Sequence, residues 1–339
     1  MRIETPTTTT RSGPWEYNAS SAKPPRVRLA PSPTGYLHLG NAWAFLMCWL
    51  AARSQGGQVV LRLEDVDFPR CREEFAQAIL EDLTWLGLTW DEGPDIGGPY
   101  SPYCQKERTL RYLEVLAMLE NYVYPCFCSR KDMQGMASAP HGDGGAYPGT
   151  CRPHAQQPNT SPYPTSTRPP AWRLILPEQV CIFHDLIQGP ISLSAQTCGG
   201  DFPVRRADGI FAYQLAVAVD DMDHHITLVV RGADLLTSTP RQRAIFHYLG
   251  RPSPQYAHVP LLLGPDGQRL AKRHASLSLR ALRACGVSPQ TVIGLLGWYA
   301  GFLPAPQPAS LADLCSHFTW TTIPQDSITL GDEAMHMLH

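Results

Sequence analysis

Apolar positions in this chain fall into short unbroken runs that alternate with segments of helical period. The first run, Val27 to Ala30, predicts a buried strand. Pro31 and Pro33 stop it, and Asn41 is a candidate N-cap for a helix from Ala42 to Ala52. That helix is apolar almost all round, through Trp43, Phe45, Leu46, Met47, Trp49 and Leu50, which predicts burial on most sides. Gly56 and Gly57 end it, and Val59 to Leu63 predicts a second strand, completing a βαβ unit. Phe75, Ile79, Leu83 and Leu86 recur at helical spacing and predict a helix over 72–86. A longer one is expected over 103–121, with Leu110, Leu113 and Leu116 on its apolar face.

The pattern changes at Tyr122. A stretch rich in Pro, Gly and Ser runs from Gly135 to Pro170. Alternating runs at Trp172–Leu176, Val180–His184 and Ile191–Leu193 then predict a small antiparallel sheet. Helical and strand patterns return at Phe211–Val219, Ile226–Val230 and Pro240–Leu249. Gly264-Pro-Asp-Gly267 predicts a hairpin turn between Leu261–Leu263 and Arg269–Ala271. Short helices over 276–285 and 288–299 lead into an irregular, Pro-rich end.

The 28 basic and 30 acidic residues nearly cancel, so no strongly basic surface is visible in the totals, although a local patch would be hidden in the sum. No run approaches the ~20 apolar residues that span a bilayer, and the N-terminus lacks the apolar core of a secretory signal. The 10 cysteines are mostly scattered through apolar segments, which fits buried thiols in a reducing cytoplasm. Residues 1–25 carry no periodicity and are expected to be an extension.

Candidate chemistry begins at the tetrad His38-Leu-Gly-Asn41, at the entrance of the first helix. A helix N-terminus offers free amide donors and the positive end of a dipole, so it suits phosphate. The whole string RLAPSPTGYLHLGN resembles the HIGH-motif region of class I aminoacyl-tRNA synthetases, specifically the glutamyl branch, and DGIFAYQLAVAVDD and VVRGADLL resemble the same family. The resemblance, which covers about residues 26–300, implies an α/β fold: a class I synthetase Rossmann-type parallel sheet with an inserted zinc-bearing α+β domain and a short helical C-terminal tail. It implies a division into a first core half over 26–121, an acceptor-binding insert over 122–209, a second core half over 210–275 and a helical segment over 276–339.

It also implies ATP-dependent activation of L-glutamate, with Mg²⁺ accompanying the ATP. By resemblance, Arg28, Ala30, Ser32, Glu64, Tyr213 and Arg231 bind glutamate, and His38, Gly40, Asn41 and Lys272 serve ATP, His38 and Lys272 being catalytic. Arg28 would pair with a ligand carboxylate and Glu64 with its ammonium; the plain alternative is that these two pair with each other. Arg269-Leu-Ala-Lys-Arg273 stands at the place of the KMSKS loop, with Arg269 and Ala271 departing from the family's Lys and Ser. Cys126, Cys128, Tyr147 and Cys151 resemble a structural zinc site of short glutamyl-synthetase-like proteins, though on chemical grounds His141 or His154 could replace Tyr147.

Only 67 residues follow Lys272, too few for the helical anticodon-binding region of full glutamyl-tRNA synthetases. The shortened form resembles truncated paralogues that attach glutamate to the cyclopentenediol of queuosine in the anticodon loop of tRNA(Asp), and a monomer is expected. An ordinary glutamyl-tRNA synthetase core charging a terminal ribose, or a non-catalytic glutamate- or RNA-binding relative, are the alternatives.

Overall fold

A computed structural model describes residues 23–129, 146–153, 168–270 and 276–338. Two parallel βαβ crossovers build its centre. In the first, β1 (Arg26–Leu29) leads through α1 (Leu39–Arg53) to β2 (Gln58–Leu61), which pairs with β1 in parallel. α2 (Glu73–Trp85) and α3 (Thr109–Met118) follow. In the second, β8 (Leu228–Gly232) leads to β9 (Gln255–Val259), also parallel. Between them lie a 3₁₀ segment, Ala233–Ser238, and a helix over Thr239–Tyr248. The two units meet where the Thr227 amide donates to the Arg26 carbonyl at 2.9 Å.

α1 is buried on most sides, as its all-round apolar sequence predicts: ten of its residues are buried, and it packs into the main core with Val27, Leu29, Val230 and Val259. It begins earlier than expected. His38, not Asn41, is its N-cap, and Asn41 sits in the first turn, where its Oδ1 accepts the His38 amide at 3.0 Å. The side chain that looked like the cap reaches back to it instead.

α3 turns a different face inward from the one its leucines predicted. Tyr112 and Val115 are buried and Leu119 follows them; of the three leucines, Leu116 is half-buried against the same core, whereas Leu110 is 76 % exposed and Leu113 is exposed as well. Tyr112 wins the inward position because its hydroxyl reaches Asp220 at 3.0 Å while its ring meets Phe211 edge-on.

The expected single antiparallel sheet is two. β3 (Val123–Cys126), β4 (Ala171–Leu174) and β7 (Phe202–Arg205) form a three-stranded antiparallel sheet. β5 (Cys181–Asp185) and β6 (Gly189–Leu193) form a hairpin that joins β9, giving the order β6-β5-β9-β8. Part of the stretch read as an insert is thus an edge of the central sheet.

α4 (Tyr213–Asp223) precedes β8, and α5 is the Thr239–Tyr248 helix. The hairpin turn at Gly264–Gly267 is present: Leu263 bridges Arg269, and the Gly264 amide donates to the Gln268 carbonyl. The C-terminal stretch is more ordered than its prolines suggested. α6 (Leu279–Ala284) and α7 (Pro289–Tyr299) are followed by α8 (Leu311–His317) and α9 (Asp332–Leu338). Leu314, Leu330, Ala334 and Leu338 join the main core. β11 (Ile328–Thr329) pairs in parallel with β10 (Leu262–Leu263), at the base of the turn. No helix among the described residues is long and apolar enough to cross a membrane.

Candidate active site

A cavity of about 810 Å³ opens at the carboxyl ends of β1, β2, β8 and β9, where open parallel sheets gather ligand-binding side chains. All six residues expected to bind glutamate line it: Arg28, Ala30, Ser32, Glu64, Tyr213 and Arg231. His38, Gly40 and Asn41 line it from the α1 N-terminus. At Gly40 a Cβ would stand 3.1 Å from the His38 ring, so any larger residue there would displace the imidazole. The His38 turn is fixed from the other side, where the Leu279 amide donates to the Leu37 carbonyl at 2.9 Å. Lys272, with Ala271 and Arg273, lies outside the described residues; Arg269 lines the cavity and pairs with Asp234 at 3.3 Å.

Arg28 and Glu64 do not pair with each other. Arg28 Nε donates to Asp221 Oδ1 at 3.1 Å, and Glu64 Oε1 accepts from Arg62 Nη2 at 3.0 Å. Arg62 is fully buried and ties the group together, with Nη1 2.7 Å from Asp221 Oδ1. The adjacent Asp220 serves Arg108 at 2.7 Å and accepts from Gln105. Burial pushes the Glu64 carboxyl above its ordinary range, more than Arg62 and Arg28 pull it down. Asp221 is also desolvated, but Arg62 and Arg28 outweigh that and hold it below the usual value.

Sequence reasoning gave no role to Arg62, Asp220 and Asp221, although Arg62 stands beside Glu64 among the charges that end the second strand and the two aspartates close the string DGIFAYQLAVAVDD. The helical period carried the signal: Asp220 and Asp221 follow Tyr213 by seven and eight residues on α4, hence on its face. Two neighbouring acids on a helix otherwise read as a solvated surface.

Arg231 is held differently. Its Nε donates to His258 Nε2 at 3.1 Å, Nη1 to Gln242 Oε1 at 2.7 Å, and Nη2 to Thr239 Oγ1 at 2.8 Å, with the Leu235 carbonyl at 3.4 Å. Its guanidinium also lies over the Tyr256 ring, 5.4 Å from the centroid. Among the described residues no carboxylate stands within ion-pair distance of it.

A second cluster lies at the end of β3. The sulfur atoms of Cys126, Cys128 and Cys151 all lie within 4.8 Å of one another, and Cys128 and Cys151 Sγ are 3.7 Å apart. Tyr147 Oη is 3.5 Å from Cys126 Sγ and 3.9 Å from Cys128 Sγ. Zn–S bonds of ~2.3 Å in a tetrahedron put sulfur atoms about 3.8 Å apart, so the donor set and its spacing fit Zn²⁺. Arg173 on β4 stacks on the Tyr147 ring, 3.9 Å from its centroid, and Nε donates to Cys126 Sγ at 3.2 Å. The candidates His141 and His154 lie outside the described residues.

A parallel nucleotide-type sheet, a helix N-terminus at the cavity wall and buried charges of both signs define a class of protein that residues 25–309 confirm. They match the family described as tRNA synthetases class I (E and Q), catalytic domain, and the chain belongs to that family. More particularly, it is 52 % identical to the glutamyl-Q tRNA(Asp) synthetase of Nitratidesulfovibrio vulgaris, over 88 % of this chain and 93 % of that one. It is 48 % identical to the protein of the same name from Symbiobacterium thermophilum, over 92 % and 97 %. Among solved structures it is similar to a glutamate-tRNA synthetase from Elizabethkingia anophelis, with a TM-score of 0.78 at 27 % identity, covering 93 % of this chain and 70 % of that one. The chain is therefore an enzyme, a ligase of the aminoacyl-tRNA synthetase class, and this class uses ATP with Mg²⁺.

Proposed function

We propose that the chain activates L-glutamate as glutamyl-adenylate and transfers it to the cyclopentenediol of queuosine in the anticodon loop of tRNA(Asp). The carrying observation is Arg231: a buried cation, held by neutral groups, on the wall of the cavity that Glu64 also lines. An amino acid with a side-chain carboxylate supplies the anion that Arg231 lacks and the ammonium that Glu64 favours. A charge-assisted hydrogen bond contributes about 1.5–3 kcal/mol, which corresponds to roughly ten- to a hundredfold preference for glutamate over neutral glutamine.

ATP would place its phosphates at the α1 N-terminus, with His38 as side-chain partner and Lys272 offsetting charge that develops in the transition state. The chemistry is attack of the glutamate carboxylate on the α-phosphorus with pyrophosphate leaving. The protein's part is positioning and electrostatics. Mg²⁺ would travel with the ATP. Zn²⁺ bound by Cys126, Cys128, Cys151 and Tyr147 would tie the 146–153 turn to β3, a structural role. Residues 122–209 would present the acceptor strand to the cavity, and one monomer would suffice.

The names and near-complete coverage of the two closely similar relatives support queuosine as acceptor. Its two ring hydroxyls copy the ribose diol that class I enzymes acylate, so no new catalytic group is required. The test is glutamate-dependent pyrophosphate–ATP exchange, followed by transfer to tRNA(Asp) with and without queuosine, with tRNA(Glu) as control. Transfer only to the queuosine-bearing tRNA is expected. Equal charging of both tRNA(Asp) forms, or charging of tRNA(Glu), would replace this reading with that of an ordinary synthetase.

A further inference from the structure

Behind Arg231 lies a closed circuit of buried groups. His258 and Asp185 are both fully inaccessible, and His258 Nδ1 is 2.6 Å from Asp185 Oδ2. Asp185 is fixed in turn: its Oδ1 accepts the amides of Ile187, Gln188 and His258 at 2.9–3.1 Å. A carboxylate saturated with donors can only accept, so the Nδ1 proton belongs to the imidazole. Nε2 is then a lone-pair acceptor, and it faces the Arg231 Nε–H at 3.1 Å and the Thr239 hydroxyl at 3.2 Å. The Thr239 oxygen accepts from Arg231 Nη2, so its own proton is free to point at His258 Nε2. The single Nε2 lone pair is shared by these two donors, and the opposite tautomer would set an Nε2–H against the Arg231 N–H.

We propose that Asp185 and His258 are positioning residues for glutamate selection. Asp185 sets the His258 tautomer, and His258 through its Nε2 lone pair fixes the Arg231 fork at the angle that receives the ligand carboxylate. This rests on Arg231 being the carboxylate-binding arginine of the proposed function. Two features explain why a histidine stands here rather than a second carboxylate. A carboxylate beside Arg231 would neutralise it and compete with the substrate, whereas a neutral imidazole orients the guanidinium and leaves its charge for the ligand. The aspartate charge is kept one ring away. Burial, with Arg231 beside it, holds the imidazole below its ordinary pKa despite Asp185, so it stays neutral at physiological pH. Asp185, although desolvated, is held below its ordinary range by the His258 hydrogen bond and the backbone donors.

The decisive substitution is Asp185→Asn, which keeps shape and removes only the charge and acceptor at Oδ2. The Asn amide would donate to Nδ1, driving the proton to Nε2 and setting an N–H against the N–H of Arg231. The KM for glutamate in pyrophosphate–ATP exchange should rise at least tenfold, while the KM for ATP stays within about twofold. Adding His258→Gln to this variant restores an acceptor at the same bond count from Cα, so the double variant should recover most of the glutamate KM. A role for Asp185 in packing alone predicts no such recovery. Imidazole ¹⁵N spectra of the wild-type protein give a readout that does not depend on catalysis or on a variant folding: His258 should carry its proton on Nδ1, and in Asp185→Asn on Nε2. An unchanged glutamate KM in Asp185→Asn, or a wild-type proton on Nε2, overturns the proposal while leaving the glutamate reading intact. If Arg231→Met also leaves the glutamate KM unchanged, the glutamate reading itself fails.

Discussion

Two arginines reach the same cavity from the two βαβ units, and the protein holds them in opposite ways. Arg28, on β1, is embedded among ions: with Arg62 it stands against Asp221 and Glu64, two cations balancing two carboxylates. Arg231, on β8, is held by an imidazole, a carboxamide and a hydroxyl, all neutral. Both are at most 5 % exposed. A buried cation already balanced by carboxylates does structural work and gives a ligand mainly shape. One oriented by neutral acceptors keeps its charge for a ligand, and desolvation makes that charge more effective. In the proposed function the first unit would mainly build the cavity, and the second would supply most of its preference for an anion.

Asp221→Ala breaks the ionic side most severely. It leaves Arg62 and Arg28 buried without their shared carboxylate, which should cost about 3–5 kcal/mol of stability, read from urea unfolding. Arg231→Met should reverse the balance between folding and function. It orphans only neutral acceptors, a loss of about 1–3 kcal/mol, but should raise the glutamate KM roughly ten- to a hundredfold. An Arg231 variant as unstable as Asp221→Ala would erase the distinction between the two sides.

Acid sharpens the ionic side further. His224 is fully inaccessible and packs on Tyr103; burial and the nearby Arg62 and Arg108 push its pKa down to about 3. An unfolded histidine titrates near 6.5, so the unfolded chain takes up a proton that the folded chain refuses. The His224 contribution is complete above pH 6.5 and is lost as pH falls from there towards 3, at about 1.4 kcal/mol per unit. Glu64 and Asp220, both raised by burial, act in the opposite sense, so the quantity to measure is the pH slope of wild type minus that of His224→Phe. Equal slopes would remove His224 from the account.

The smallest effect lies at the far end of the neutral side. Ser238 Oγ accepts from Gln214, whose Oε1 accepts from Gln242, whose Oε1 accepts from Arg231. Ser238→Ala should cost about 0.5–1.5 kcal/mol of stability and change the glutamate KM by less than about threefold. A larger KM change would mean that the orientation of Arg231 depends on the whole chain and not on His258.

The sequence displays cavity-lining residues better than the groups that hold them. Arg28, Tyr213 and Arg231 sit in strings whose resemblance to the synthetase family marks them, and Glu64 stands among the charges that end the second strand. Asp185 looks like the end of an alternating strand and His258 like one polar residue in an apolar one. Their meeting depends on β5 joining β9, a pairing between segments 73 residues apart that no local pattern announces. The same limit explains α3: leucine spacing identified a helix but could not foresee that Tyr112, with Asp220 to bond, would take the inner face. It also explains the C-terminal stretch, where α8 and α9 are too short for periodicity to rise above the prolines around them.

The pairing of β11 with β10 has a consequence for timing during synthesis. The ribosome makes Leu262 and Leu263, and with them the root of the turn that carries Arg269, long before Ile328 and Thr329 exist. At ~5–20 residues per second the root waits several seconds for its neighbouring strand. Until then the Leu263 carbonyl lacks the Leu330 amide, and the Leu261 carbonyl lacks that of Ile328. A nascent chain can therefore complete both crossovers while the loop beside them still stands on one leg, and the enzyme gains its last support only when those late residues clear the exit tunnel.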